Sequence, residues 1–227
     1  MDNSSHPIHI PYQNIPEGAS SSSHIDRLIA FLERYLPDFS DERNVKGIQS
    51  ENEISELLYL HLTRKAKFNA ENIEHPFAFQ PEKPQKKRNQ KGHPKRTDIA
   101  ARLNTIDVNM EVIYCIEAKK LPTDKKGGKR EKEYVFGKFG AIERFKNEVH
   151  GLDDEGNLLS RNGIVAYIFD SGFNHWYGQI NQWIIEQGWE MTEQLSLEYS
   201  KKIGKLTSVH SRISGSLVRL SHFWINL

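Results

Sequence analysis

The sequence predicts an α/β fold in which a mixed β-sheet is flanked by helices. Segments with helical spacing of apolar residues alternate along the chain with short, continuous apolar runs that are typical of buried strands. No internal repeat is found, and the interleaving of helices and strands indicates a sheet covered on both faces. The 227 residues are enough for one domain with appendages.

Two helices are expected before the sheet. Residues 1–23 are rich in Ser, Pro, Asn and His and predict a disordered segment, which leaves a single domain over 24–227. The spacing of apolar residues predicts a helix from His24 to Tyr35 that ends before Pro37, and a second helix over about 51–67. The other expected elements are strands at 73–80, 98–103, 112–118, 163–169 and 217–225, and helices at 134–149 and 174–187.

Basic residues are concentrated in two short stretches of an otherwise acidic chain. Residues 83–96 and 119–132 together hold 14 of the 31 Lys and Arg residues but 2 of the 30 Asp and Glu residues. Either stretch alone is typical of a solvated loop. Because both flank the same pair of predicted strands, they are also suited to binding a polyanion such as nucleic acid.

Two carboxylates and a lysine are predicted to meet where two neighbouring strands adjoin. Asp98 opens one strand, Glu117 closes the next, and Lys119 lies two residues beyond. Residues two apart on a strand share a face, so Glu117 and Lys119 point to the same side. With the backbone carbonyl of Ala118, these oxygens suit Mg²⁺ or Mn²⁺. The spacing alone also fits a surface salt bridge; the buried strand, where an unpaired carboxylate would be costly, favours the metal site.

These motifs resemble those of the PD-(D/E)xK nuclease superfamily. The resemblance is carried by Thr97-Asp98 and by Glu117-Ala118-Lys119 at the end of an apolar strand. Thr97 stands where the family usually has Pro. By the resemblance, Asp98 and Glu117 would be metal ligands and Lys119 the catalytic lysine.

The resemblance also implies a restriction-endonuclease-like core over about residues 51–187, with the order αβββαβ and one extra helix before it. Members often add a Glu from the first core helix. At 100° per residue, Glu51 lies on the inward face, Glu53 at its boundary, and Glu56 points away. We expect Glu51 to join the metal ligands, with Glu53 as the alternative. Acidic residues also favour a helix N-terminus for purely electrostatic reasons, so this assignment stays open.

Nine basic residues are expected to contact nucleic acid: Lys86, Lys87, Arg88, Lys95, Arg96, Lys126, Lys129, Arg130 and Arg144. Arg144 belongs to residues 134–151, where glycines and basic side chains suit the approach of phosphates. An amphipathic helix that packs Phe139, Ile142 and Phe145 inward explains the same segment, and both interpretations remain open.

The sequence therefore predicts a Mg²⁺- or Mn²⁺-dependent endonuclease that cuts DNA and leaves 5′-phosphate and 3′-hydroxyl ends. Resemblance alone adds a role in bacterial restriction or anti-phage defence. Two other classes stay open: a non-catalytic nucleic-acid-binding subunit with the same fold, and an interaction protein whose basic loops bind an acidic partner. A homodimer is expected, because double-strand cutters with one site per chain commonly dimerise.

A cytoplasmic location is expected from three features. No apolar run approaches the ~20 residues that span a bilayer, and the first residues lack the order of a secretory signal. The single cysteine, Cys115, lies in an apolar run and cannot form an internal disulfide. His150, His175, His210 and His222 show no zinc spacing, so no structural zinc site is expected.

Overall fold

The computed structural model of the chain describes residues 21–42, 45, 47–48, 50–69, 74–87, 92–105, 110–123, 130–198 and 203–227. Its helices are α1 (Ser21–Ser40), α2 (Glu51–Lys67), α3 (Ala141–Lys146) and α4 (Gly172–Glu186). Its strands are β1 (Phe77–Gln85), β2 (Lys95–Leu103), β3 (Val112–Leu121), β4 (Arg161–Ile168), β5 (Ser196–Glu198), β6 (Gly204–Ser211) and β7 (Leu217–Asn226). Short 3₁₀ turns cover Glu131–Tyr134 and Met191–Glu193.

The seven strands form one mixed sheet in the order β1-β2-β3-β4-β7-β6-β5. The central strands β3, β4 and β7 are parallel neighbours, whereas the other pairs are antiparallel. The continuous burial of β4 follows from this position, because a central parallel strand is covered on both faces. An α/β fold with helices on both sides of a mixed sheet is thus confirmed.

Each face of the sheet has its own hydrophobic core. On one face, α1 and α2 pack Leu32, Leu58 and other apolar side chains against Ile116 and Ala118 of β3. On the other face, α3 and α4 pack against Cys115 of β3 and its neighbours. The alternation along β3 therefore sends even-numbered residues such as 116 and 118 to the first face, and Glu117 and Lys119 to the face of α3 and α4.

Several predicted boundaries differ from the structure. The helix expected to end before Pro37 continues to Ser40. The helix expected over 134–149 is reduced to α3 and a preceding 3₁₀ turn, which agrees with the two glycines at 137 and 140. Ser21–Ser23, expected to be disordered, begin α1, and residues 1–20 lie outside the described part of the chain.

The sheet is also larger than the predicted αβββαβ core. From α2 to β4 the elements do follow one helix, three strands, one helix and one strand. The expected strand at 217–225 is confirmed as β7, but β5 and β6 extend the sheet beyond it. Parts of the first basic stretch, expected to be a loop, belong to β1 and β2. Among the described residues, no helix is both long and apolar enough to span a membrane.

Candidate metal centre

Asp98, Glu117 and Lys119 lie together on the α3 and α4 face of the sheet. The antiparallel β2–β3 ladder ends with the pair Ile99–Ile116, and Asp98 and Glu117 are the next residue of each strand beyond that pair. Both strands extend past the expected ends, so Asp98 lies inside β2 and Glu117 inside β3. The structure therefore brings the three predicted side chains to one place.

The carboxylate of Asp98 is held by the backbone of β3. Its Oδ2 atom accepts a 2.6 Å hydrogen bond from the N–H of Ala118, and Thr97 fixes the strand end by donating from Oγ1 to the carbonyl of Ile116 at 2.9 Å. Although Asp98 keeps some solvent access, protein atoms surround most of its carboxylate. This burial and the nearby charge of Glu117 raise the pKa of Asp98 to about 8, against the opposing effect of Lys119.

The carboxylate of Glu117 has the opposite character. The residue is 1% exposed, and its Oε2 atom accepts a 3.1 Å hydrogen bond from Nη1 of Arg144. Its Oε1 atom lies 2.6 Å from Nδ1 of His150. Burial alone would raise the pKa of Glu117, but His150, Lys119 and Arg144 outweigh it and lower that pKa to about 2.

Glu51 reaches the centre from the first turn of α2. Ser50 caps this helix by accepting from the N–H of Glu53. Oε2 of Glu51 accepts a 2.7 Å hydrogen bond from the N–H of Lys120, and its Oε1 lies 4.0 Å from Nζ of Lys119. Glu53, the alternative, is exposed. The structure thus places Glu51, and not Glu53, beside the lysine.

These donors suit a hard divalent cation by chemistry. Asp98 and Glu117 present carboxylate oxygens, which such an ion prefers, although Oε1 of Glu117 faces His150 at 2.6 Å. In the described part of the chain, however, no group of three or more His, Cys, Asp or Glu side chains is arranged to hold a metal ion. Ala118 reaches the centre through its N–H, and the role of its carbonyl as a ligand stays a prediction.

The residues predicted to contact nucleic acid differ in exposure and in their ion-pair partners. Lys86, Lys95 and Arg96 are exposed, and Arg96 pairs with Glu82 at 2.9 Å. Lys87 pairs with Glu148 at 3.0 Å. The predicted contacts Arg88, Lys126 and Lys129 lie outside the described residues.

Two open clefts adjoin the centre. One, of about 390 Å³, is lined by Lys95, Gly137, Lys138, Glu143, Arg144, Asn147 and Val149. The other, of about 350 Å³, has Glu51 and Lys119 in its wall together with Arg130, which also donates to Glu133 at 3.2 Å. Arg144 and Lys119 thus connect the buried carboxylates to the two clefts.

Sequence reasoning missed His150 as a neighbour of Glu117. His150 is fully buried, and both of its ring nitrogens lack a hydrogen-bond partner among the described residues. It lies four residues beyond the end of α3, the helix that carries Arg144. A histidine six residues after an arginine has no recognisable spacing, so only the folded chain shows that both side chains approach one carboxylate.

A second cluster, Glu193, His210 and Ser208, lines up as a carboxylate, an imidazole and a hydroxyl do in serine hydrolases. Oε2 of Glu193 lies 2.8 Å from Nδ1 of His210, and Nε2 of His210 lies 2.7 Å from Oγ of Ser208. Ser208 is 3% exposed, and its hydroxyl is also 2.8 Å from Nε2 of His222. A hydroxyl held between two buried histidines cannot reach a substrate, so the cluster does not make a nucleophilic site.

The direction of every hydrogen bond in this buried chain follows from Glu193. Burial would raise the pKa of Glu193, but His210 and Lys146 lower it, so Glu193 is ionised and can only accept. His210 then donates from Nδ1 and accepts at Nε2 from Ser208, and Ser208 accepts from His222. His222 consequently accepts at Nδ1 from the hydroxyl of Tyr134, at 2.8 Å. This pattern requires neutral imidazoles, and burial, which lowers the pKa of both His210 and His222, favours that form.

Compared with protein-family models, curated protein sequences and solved structures, the chain gives no match. Membership of the PD-(D/E)xK superfamily therefore stays a prediction from the motifs around Asp98 and Glu117.

Proposed function

We propose that the chain is a Mg²⁺-dependent endonuclease that hydrolyses phosphodiester bonds of DNA, with Asp98, Glu117 and Lys119 at its active centre. The proposal combines the resemblance to PD-(D/E)xK nucleases with the placement of these side chains on one face of adjacent strands. A role in restriction or anti-phage defence is proposed from the resemblance alone.

The observation that carries the proposal is that two carboxylates, those of Asp98 and Glu117, come together just beyond the last pair of the β2–β3 ladder. The pKa of Asp98 is raised to about 8 and that of Glu117 is lowered to about 2. At neutral pH the carboxylate of Glu117 is therefore ionised, whereas Asp98 is mostly protonated. Keeping two acids in one partly buried place is costly unless a cation or a reaction uses them. Strongly perturbed carboxylates beside a cleft are typical of functional sites.

Asp98 and Glu117 would hold the metal ion, with Glu51 as a further oxygen donor on the Lys119 side. When bound, a divalent ion neutralises charge on the phosphate and lowers the pKa of a bound water. Lys119, whose side chain is 13% exposed, lies where its ammonium can donate to the attacking water or to a phosphate oxygen. It would thereby stabilise the negative charge that develops as water attacks phosphorus and the 3′ oxygen leaves.

Positive charge beside the centre supports a polyanionic substrate. The cleft that contains Arg144 also contains Lys95 and Lys138, against one acidic residue, Glu143. Among the described residues, the cleft beside Lys119 has three acidic and three basic side chains in its lining, so the positive charge lies on the Arg144 side. Lys and Arg side chains along a groove bind phosphates independently of sequence, in a salt-dependent way.

The proposal is tested by incubating supercoiled plasmid, linear duplex, single-stranded DNA and RNA with Mg²⁺ and the purified protein. The wild type should nick or linearise plasmid, whereas Asp98→Asn and Lys119→Ala should each lose at least ~100-fold in rate, as expected for groups that act on the transition state. Asp26→Asn is the matched control, because Asp26 is an exposed residue of α1 that pairs with Arg161 of β4. This variant should cleave as the wild type does. Equal nicking by all four proteins would indicate a contaminant and overturn the proposal.

One observation favours a second candidate, a non-catalytic nucleic-acid-binding subunit. Glu117 already faces Arg144 and His150, and this arrangement neutralises the carboxylate without any metal ion. Such a subunit would bind labelled DNA in a salt-dependent manner, and it would neither cleave it nor bind Mn²⁺ at millimolar concentration. Cleavage that depends on Asp98 would exclude it.

A further inference from the structure

We propose that, in the metal-free protein, the guanidinium of Arg144 occupies the cation position beside Glu117 and has to leave it before a divalent ion can bind. This inference rests on the proposed function, since it concerns the same centre. It assigns Arg144 two alternative partners, the carboxylate of Glu117 and a phosphate of the substrate.

The first argument is that the carboxylate of Glu117 is buried and already bonded to Arg144. A carboxylate that binds a metal has to present an oxygen to it, yet Glu117 is 1% exposed and its Oε2 atom is bonded to Arg144 at 3.1 Å. A guanidinium and a divalent cation repel each other strongly at such a distance in a partly buried place. The two cations therefore compete for one carboxylate.

The second argument is the path that Arg144 has for leaving. Its side chain is 15% exposed, and its Nε atom is buried without a hydrogen-bond partner among the described residues. The guanidinium carbon lies 5.4 Å from the ring centre of Phe139, which is itself 39% exposed. Arg144 also lines the open cleft of about 390 Å³, so its side chain can turn outward without moving α3.

The cleft already carries the charge that a phosphate requires. Lys95 and Lys138 line it together with Arg144. The acid in its wall, Glu143, is engaged by the backbone N–H of Gly137 at 2.6 Å. A planar guanidinium turned into this cleft could bind a phosphate in a bidentate manner.

This arrangement couples the metal ion to the substrate. The Arg144–Glu117 bond lowers the affinity for metal, and a phosphate that draws Arg144 into the cleft removes this competition. By reciprocity, DNA raises metal affinity by the same factor by which metal raises DNA affinity. The centre would thus bind its cation tightly only when substrate is present.

The test is Mn²⁺ binding by isothermal titration calorimetry, without DNA, for the wild type, Arg144→Gln and Lys138→Gln. Glutamine removes the charge of Arg144 but can still donate one hydrogen bond to Glu117. Because a hydrogen bond between charged groups is worth roughly a factor of ten or more, Arg144→Gln should bind Mn²⁺ at least ~10-fold more tightly. Lys138→Gln removes a cation from the same cleft that is not bonded to Glu117, and it should stay within ~2-fold of the wild type.

An Mn²⁺ affinity of Arg144→Gln equal to or weaker than that of the wild type would overturn the inference, and so would an equal gain in Lys138→Gln.

If Arg144→Gln does not fold, a crystal structure of the wild type with Ca²⁺ tests the inference instead. Loss of the Arg144–Glu117 contact with Ca²⁺ bound supports the inference, and Ca²⁺ on Glu117 with the contact intact contradicts it. A wild type that cleaves DNA and binds Mn²⁺ while Arg144→Gln shows no gain refutes this inference alone. A wild type that neither cleaves nor binds Mn²⁺ refutes the proposed function as well.

Discussion

At the scale of single residues, the relation between Asp98 and Glu117 depends on strand geometry that the sequence makes visible. Two strands joined by a short connection are neighbours, and residues two apart share a face, so the convergence of Asp98, Glu117 and Lys119 could be predicted. The structure adds the 2.6 Å bond from Ala118 N–H to Asp98, which ties this carboxylate to the backbone of β3 next to Glu117 and Lys119. Local periodicity was sufficient for this part of the site.

The partners of Glu117 could not be predicted in the same way. The contact of Arg144 with substrate stays a prediction, and the structure adds a bond from Arg144 to Glu117 that the sequence did not indicate. His150 was considered only for zinc spacing, and it lies 2.6 Å from the same carboxylate. Both contacts depend on how α3 and the segment after it fold back over β3, and that long-range packing leaves no periodic signal.

A substitution of Glu51 tests whether this residue takes part in the cleavage of DNA, and Glu53, on the same turn of α2, provides the matched control. Because Glu51 accepts from Lys120 N–H and lies 4.0 Å from Lys119, we expect Glu51→Gln to reduce the rate of Mg²⁺-dependent DNA cleavage ~10-fold or more, the value of one charged contact. Glu53→Gln changes an exposed acid two residues away and should leave the rate unchanged. Equal losses in both variants, measured as initial rates of plasmid nicking, would show that only the charge of the helix terminus matters.

At the scale of elements, α1 shows why a local rule failed. Proline inside a helix costs ~3 kcal/mol, which predicted an end before Pro37. Leu36 and Phe39 are fully buried, and burying two large apolar side chains contributes roughly 1.5–3 kcal/mol each. Packing against the sheet therefore outweighs the cost of the proline, and the helix continues to Ser40.

The strand β6 was missed for a related reason. Its inward residues are Gly204, Leu206, Ser208 and His210, so half of its buried face is polar. An apolar alternation is the signal by which a half-buried strand is recognised. Here it is obscured, because Ser208 and His210 are satisfied by a hydrogen-bond chain and do not need apolar neighbours.

The central strand β4 yields a stability prediction. An added Cβ at Gly163 would stand 2.8 Å from Cε1 of the fully buried Tyr114, so Gly163→Ala should lower the free energy of unfolding by ~1–3 kcal/mol through overpacking. Gly178→Ala is the control, because no atom lies within 4 Å of its Cβ position in α4. It should raise the free energy of unfolding by up to ~1 kcal/mol. Urea denaturation measures both, and a neutral Gly163→Ala would contradict the tight β3–β4 packing.

At the scale of the whole molecule, a buried polar chain ties the second half of the sheet to the layer above it. It runs from Glu193 through His210, Ser208 and His222 to Tyr134, with bonds of 2.7–2.8 Å. Burial lowers the pKa of His222 well below 6.5, with His210 adding to the shift, and it also lowers the pKa of His210 against the effect of Glu193. The chain is complete only while both imidazoles are neutral.

These histidines predict a pH-dependent stability. Since their pKa values are lower in the folded than in the unfolded state, the unfolded chain takes up protons first, and stability is lost as pH falls below about 6.5. The loss is at most about 1.4 kcal/mol per pH unit for each histidine. Between pH 6.5 and 5, His222→Gln should therefore lose stability less steeply than the wild type. His175→Gln, which changes an exposed histidine of α4, should keep the wild-type slope.

The measurement is the free energy of unfolding in urea at several pH values. Identical slopes for the wild type and both variants would show that the buried histidines do not determine the acid sensitivity of the fold.

The layered architecture could be predicted because amphipathic helices and buried apolar strands alternate along the chain. The size of the sheet could not, because the three-residue β5 is too short to show an alternation and the buried face of β6 is half polar. β6 pairs with β7, and β5 pairs with β6. Of the basic residues expected to bind nucleic acid, Lys95 and Arg144 line the cleft beside Glu117, and Lys87 pairs with Glu148. Their contact with nucleic acid stays a prediction.

The central claim is that Asp98 and Glu117 together bind a divalent cation. It is tested most directly by the anomalous difference map of a crystal grown or soaked with Mn²⁺ at saturating concentration. We predict one strong peak within ~2.0–2.3 Å of oxygens from both carboxylates, the distances usual for oxygen ligands of such ions. A map with no peak at these two residues, while the crystal takes up Mn²⁺ elsewhere, would contradict the claim.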